Sequence, residues 1–206
     1  MKALDTARLQ LSAPYTVVQE GEEYGTIYGW DYVYQTEVNG EMVGPFYDEN
    51  GNPLPLINAE GTEYLKTNQR VPVGNCAPLV TGGINLKYNY KNFSLYALID
   101  AKLGGEIYCG SYVIAMQTGQ SPETMFEREV NGLPLYDAEG NFLGNYGIVL
   151  PGVYVDPETG EATENEEVVH YYYNYMPNFG GWGNYISTPG ILNNTWIKMR
   201  EITLSY

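Results

Sequence analysis

Five aromatic side chains crowd one short stretch of this chain: Tyr171, Tyr172, Tyr173, Tyr175 and Trp182. The chemistry open to them is non-covalent. Flat rings with a polar edge stack on sugar rings, and Tyr and Trp are enriched at interfaces. The plain alternative is that these rings pack loops against one another. Covalent chemistry has less to stand on. The chain has one histidine, His170, held between Val169 and Tyr171. It has no Ser-His-Asp arrangement, no HExxH pair and no phosphate loop. Glycoside hydrolysis needs two placed carboxylates. With 25 acidic residues such a pair can always be imagined, which strips the pairing of value. The chain reads as a non-enzyme that uses no cofactor.

Metal and redox chemistry fare no better. Cys76 and Cys109 sit in no CxxC and in no metal-ligand spacing, and a single bridge between them requires that they meet in space. Three acidic turns carry calcium-like residue types: Tyr47 to Asn52, Tyr136 to Asn141, and Asp156 to Gly160. A calcium loop of the EF-hand type spreads its ligands over about twelve residues, ends on a Glu and lies between helices. Asp48-Glu49-Asn50-Gly51 offers none of this. Asn and Gly accept the left-handed backbone of tight turns, so these segments read as hairpin tips.

Stepping to the elements that hold these residues, the clearest pattern runs from Thr81 to Gly110. Ile84, Leu86, Tyr88 and Tyr90 alternate with Asn85, Lys87, Asn89 and Lys91. After a turn at Lys91-Asn92, Phe93, Leu95, Ala97 and Ile99 alternate with Ser94, Tyr96 and Asp100. Successive side chains of a strand point to opposite faces, so each strand has one apolar and one polar face. Two strands of roughly ten residues joined by a short turn fit a transmembrane β-hairpin, with polar side chains toward a lumen and apolar ones toward lipid. On alternation alone, a soluble hairpin with one wet face is the commoner cause. Trp196 to Tyr206 is a third such strand, with Ile202, Leu204 and Tyr206 on one side and Glu201, Thr203 and Ser205 on the other.

Composition narrows the choice. The 206 residues include 21 Tyr but only 5 Phe and 3 Trp, so the aromatic excess is amphipathic. That suits strands and membrane interfaces, and it also suits glycan contact. A net charge of −15 excludes a nucleic-acid partner and an anionic membrane surface, both of which require clustered Lys and Arg. There is no run of ~18 apolar residues, so no transmembrane helix is expected. Residues 1–13 read as a strand (residues 4–13) rather than a signal peptide. Tyr24 to Val38 is β-prone. Residues 111–194 read as mostly irregular, with one short helix capped at Ser121-Pro122-Glu123-Thr124. A connection so long is usually functional.

Three blocks in this order resemble one family. Glu20 to Gly29 (EGEEYGTIYG) is similar to an EGEPYGxIYG strand entry. Pro78 to Gly105, with Thr81-Gly82-Gly83-Ile84, Tyr90-Lys91-Asn92-Phe93-Ser94-Leu95 and Gly104-Gly105 leading into Glu106-Ile107-Tyr108, resembles a PDFTGGINxxxxYKxFxLxxxxDxxxGGxIY hairpin. Trp196 to Tyr206 is similar to FVKLREVSLSY. The family is that of the SusC/RagA-type TonB-dependent outer-membrane transporters. One departure is Ala77-Pro78-Leu79-Val80, where the family has Asn-Pro-Asp before Thr-Gly-Gly.

The resemblance implies an all-β fold: an antiparallel meander of long strands, part of an outer-membrane β-barrel of about 22 strands with long extracellular loops. It assigns 81–110 to a hairpin, 111–194 to an extracellular loop and 196–206 to a further strand. Roughly six or seven strands cannot close such a barrel. The chain is therefore expected to be a partial barrel, with the signal, TonB box and plug absent. The implied parent sits in the cell outer membrane and imports oligosaccharides or peptides under a SusD-like lipoprotein lid, driven through TonB-ExbB-ExbD. In that frame Asn85, Lys87 and Asn89 face the lumen, Leu86 and Tyr88 face lipid, and Lys91-Asn92 is the periplasmic turn. Tyr90, Phe93 and Tyr206 join an aromatic girdle. Tyr171, Tyr172, Tyr173, Tyr175 and Trp182 are the expected contacts for ligand or lid. The alternative function is an autonomous secreted or surface β-sandwich that binds glycans through its Tyr-rich loops.

Overall fold

The computed structural model describes residues 14–16, 21–122, 132–179 and 185–206. The expected strand at residues 4–13, the expected helix start beyond Pro122, and Trp182 lie outside the described residues. The chain is mostly β, and every ladder is antiparallel apart from one isolated bridge between Leu56 and Val153.

Three long strands form one open sheet. Val80–Tyr90 pairs with Phe93–Leu103, and Phe93–Leu103 pairs on its other side with Trp196–Ser205. The hairpin register places Ile84 opposite Ile99, Leu86 opposite Ala97 and Tyr88 opposite Leu95. On the other side Ile202 lies opposite Ala97 and Leu204 opposite Leu95. Apolar side chains therefore share one face across all three strands. Arg200 is the extra residue of a bulge between Met199 and Glu201; beyond it the alternation resumes in phase with the neighbour. The 104–195 excursion leaves and re-enters this sheet at one end, where residues preceding Val80 also arrive. Lys91-Asn92 and Tyr206 mark the opposite end.

At the first end the two excursions fold together into a cap. Thr26–Gly29 pairs with Val71–Asn75, Glu106–Tyr108 with Ile191–Asn193, and Phe142–Val149 with both Leu133–Tyr136 and Val168–His170. Short strands like these gain little from local pairing and depend on what they bury. Here Ile57 and Tyr64 from the first excursion share a core with Leu150, Val169 and Ile186 from the second. Val38 and Leu56 pack with Val153 and Val155. Backbone bonds sew the same seam. Trp30 and Ser187 are joined twice, by Ser187 N–H to the Trp30 carbonyl (2.7 Å) and by Trp30 N–H to Ser187 Oγ (3.0 Å). Ile57 N–H donates to the Val153 carbonyl at 3.0 Å.

Two expectations need correction. Residues 111–194 are not mostly irregular: they carry the helix Gly110–Gln117, strands, and a π-helical turn over Tyr171–Tyr175. The tertiary core, not local periodicity, fixes these elements. Among the described residues the long strands of the meander number three, and the β-prone run Tyr24 to Val38 holds the short strands Thr26–Gly29 and Thr36–Val38. No helix among the described residues is long and apolar enough to cross a membrane, which leaves crossing by strands untouched.

Candidate functional site

The long sheet has two chemically different faces. One carries Ile84, Leu86, Tyr88, Tyr90, Phe93, Leu95, Ile197, Met199, Ile202 and Leu204, all exposed. The exposure reaches 71% at Ile197 and Leu204, far above what a core position shows. At the turn end, the Phe93 and Tyr206 rings sit 5.0 Å apart, beside Tyr90.

The opposite face is polar and internally bonded. Asn85 and Lys87 lie beside Leu98 and Tyr96 of the neighbouring strand, and Asn89 beside Ser94. The Tyr96 hydroxyl donates to Asn85 Oδ1 at 3.0 Å. Arg200 Nε donates to Asp100 Oδ2 at 2.8 Å, both partners being partly exposed. The Lys198 ammonium lies 4.5 Å over the Trp196 ring, with the Arg200 guanidinium 5.9 Å from the same ring. At the cap end this face opens into a cavity of about 260 Å³ lined by Thr81, Gly82, Asp100, Ala101, Lys102 and Trp196.

The cap brings together most of the aromatic residues picked out from the sequence, but in different roles. Tyr171 is fully buried, and its ring lies 5.3 Å from that of half-buried Tyr175. Tyr172 and Tyr173 are exposed, Tyr173 at 77%. His170 sits between them and the sheet. Its Nδ1 accepts from Tyr172 N–H at 3.2 Å, and its ring stacks on Tyr146 and lies 4.5 Å from Tyr173. Burial pushes the Tyr64 and Tyr32 hydroxyls well above their ordinary range, and their rings meet edge to face at 5.1 Å. Burial, then the hydrogen bond Tyr185 donates to Tyr108 Oη (2.7 Å), does the same to Tyr185.

The acidic turns are turns. Asp48 accepts from Asn50 N–H, Asn52 N–H and the Asn52 side chain at 2.7–2.9 Å. Asp137 repeats the pattern with Glu139 and Asn141, and Asp156 accepts from Glu158 and Thr159 N–H. These bonds favour the charged form and hold all three carboxyls below the usual carboxylate range. Cys76 and Cys109 are both free thiols.

The long sheet thus has one apolar face, one polar face and a folded cap at one end. The chain is distantly similar to a TonB-dependent receptor. That relative is TonB-dependent receptor P3 of Formosa agariphila, 32% identical over 97 residues. The match takes in 44% of this chain and 9% of the receptor, so the chain spans only a small part of the receptor's length. No protein family model matches the chain. Sequence reasoning missed Trp196 and Lys102 as neighbours, because strands 196–205 and 93–103 are separated by the whole cap in sequence. The signal available was the alternation itself, which puts Trp196, Lys198 and Thr203 on the polar side once the bulge is allowed for.

Proposed function

We propose that this chain is wall and cap of a SusC/RagA-type TonB-dependent transporter in the outer membrane, which imports oligosaccharides or peptides. One observation carries the reading: a hairpin of two 11-residue strands and a 10-residue third strand keep a continuous apolar face in the open, while the cap beside them has its own buried core. Strands of this length, tilted, match the hydrocarbon thickness of a bilayer. In this reading lipid covers Leu86 and Ile202, and Asn85, Lys87 and Asn89 face the lumen. The cap is extracellular, and Tyr172 and Tyr173 offer exposed rings to ligand or to a SusD-like lipoprotein. Transport is binding and gated passage, coupled through TonB-ExbB-ExbD to parts of the parent outside this chain. A β-sandwich reading is less well supported, because every residue of Val80–Tyr90 is exposed, where a sandwich buries one face of each sheet.

The test is a nitroxide scan of the chain in detergent micelles, with labels placed singly from Ile84 to Asn89 and from Ile202 to Ser205. Labels at Ile84, Leu86, Tyr88, Ile202 and Leu204 should be relaxed by oxygen, which concentrates in the apolar phase. Labels at Asn85, Lys87, Asn89, Thr203 and Ser205 should be relaxed by a water-soluble nickel chelate. Uniform accessibility without a period of two would remove the membrane-wall reading.

A further inference from the structure

We infer that the cavity at the cap end of the polar face is a binding site for an acidic oligosaccharide, a sugar chain bearing carboxylate or sulfate groups; this rests on the transporter reading and deepens it. Charge is the first argument. The chain is strongly acidic, with 25 Asp and Glu against 10 Lys and Arg. The three long strands invert that balance. They hold Lys87, Lys102, Lys198 and Arg200 but only Asp100 and Glu201 as acids. All six belong to the polar face by register or by contact. Asp100 is answered by Arg200 at 2.8 Å, whereas Lys87, Lys102 and Lys198 make no ion pair among the described residues. The face is left with a surplus of positive charge.

Shape is the second argument. The row Thr81, Lys102, Trp196 and the row Gly83, Asp100, Lys198 run side by side across the three strands. The Gly82 and Ala101 backbone between them lines the cavity floor. Gly83 carries no side chain beside Asp100; a Cβ there would stand 2.7 Å from Asp100 Oδ1, so the carboxylate would have to shift. Trp196 forms a wall, with a ring for the apolar side of a pyranose, and the Lys198 ammonium is already drawn to that ring. Lys102, opposite Thr81, reaches the same space. With Lys102 in the lining, the Lys198 ammonium at the Trp196 ring and the Asp100 carboxylate held by Arg200, the site fits a sugar with an acid substituent better than a neutral one. The aromatic ring also favours a glycan over an acidic peptide, which would need the cations alone. The acidic turn tips of the cap do not cancel this charge: they are solvent-exposed, and exposed charges are screened over about 8 Å at physiological salt.

The experiment is calorimetric titration of the full chain in detergent micelles, with cap folding checked by near-ultraviolet dichroism of its buried tyrosines. The probes are tetragalacturonate, a chondroitin sulfate tetrasaccharide, maltotetraose and tetraglutamate. At least one acidic sugar should bind at least about tenfold more tightly than maltotetraose, and the tie should weaken as salt rises. Which acidic sugar wins tells carboxylate from sulfate. K102Q/K198Q and W196A should each lose about tenfold, while K91Q at the far turn should bind as the parent does. Equal binding of maltotetraose overturns the proposal. So does tetraglutamate binding that W196A leaves intact, which would make the face a seat for an acidic protein segment. A folded chain that binds no probe overturns it as well. If the nitroxide alternation holds and no probe binds, only the site falls; if the alternation fails, the wall reading falls whatever binds.

Discussion

Single residues decide the acidic turn tips. Asp48 collects two backbone N–H groups and the Asn52 amide, so its charged form is favoured in the fold and not in the unfolded chain. A group lowered in this way adds stability at pH values above its ordinary pKa near 3.8, and that stability is lost as pH falls through the lowered folded value. Carboxyl carbon chemical shifts should show Asp48 and Asp137 titrating below the ordinary aspartate value near 3.8, and D48N should leave the Asp137 midpoint where it is. A midpoint at the ordinary value would mean that the turn is open in solution. The buried tyrosines work at the other end of the scale. Tyr32, Tyr64 and Tyr185 are raised, chiefly by burial. Their contribution is complete below about pH 10 and is lost as pH climbs toward the folded values. Absorbance at 295 nm should then show Tyr32, Tyr64 and Tyr185 ionising only as the cap opens. The turns were legible from Asp, Asn and Gly alone, since their bonds are local. The division of the tyrosine run into buried Tyr171 and exposed Tyr172 and Tyr173 was not, because it depends on a π-helical turn and on a core drawn from both excursions.

Elements in the cap depend on their seam. Gly29 ends the strand Thr26–Gly29 just where the chain meets Ser187, and a Cβ there would stand 2.6 Å from Ser187 Cβ and Oγ. The paired bonds between Trp30 and Ser187 would have to part to make room. G29A should therefore cost about 1–3 kcal/mol in denaturant unfolding of the cap, despite adding one methyl group. Leu150 is fully buried in the shared core, and L150A should cost about 2–5 kcal/mol. An unchanged midpoint for both variants would mean that the two excursions fold separately. This seam could not be read from sequence. Its strands are two to eight residues long, too short for a period to show, and the helix Gly110–Gln117 begins without a side-chain cap. Only Val113 and Met116, three apart, betray its buried side. The long hairpin was legible because eleven residues of alternation leave little freedom, and its register then follows from the turn at Lys91-Asn92.

The whole molecule joins a cap that buries its core to a sheet whose two outer strands are exposed almost throughout. In water those two parts want different solvents. The apolar row Leu86–Ala97–Ile202 crosses all three strands at mid-length, with Leu86 53% and Ile202 67% exposed. Among the described residues, the outer edges of Val80–Tyr90 and Trp196–Ser205 have no pairing partner. An apolar face larger than a few hundred Å² with open edges drives self-association. The chain should aggregate without detergent and become monodisperse with it. The double variant L86K/I202K places two charges at the middle of that face and should reverse the preference, raising solubility in water and lowering the amount of detergent bound. The polar-face control K87Q/T203Q should do neither. Analytical ultracentrifugation with and without micelles reads both quantities in one experiment. If L86K/I202K aggregates like the parent while its cap stays folded, the apolar row is not the surface that avoids water, and the sheet is not built for lipid. If the variant becomes soluble and its cap keeps the parent's unfolding midpoint, the two parts are energetically separate: the cap stands on its own core, and the apolar face of the sheet is what avoids water.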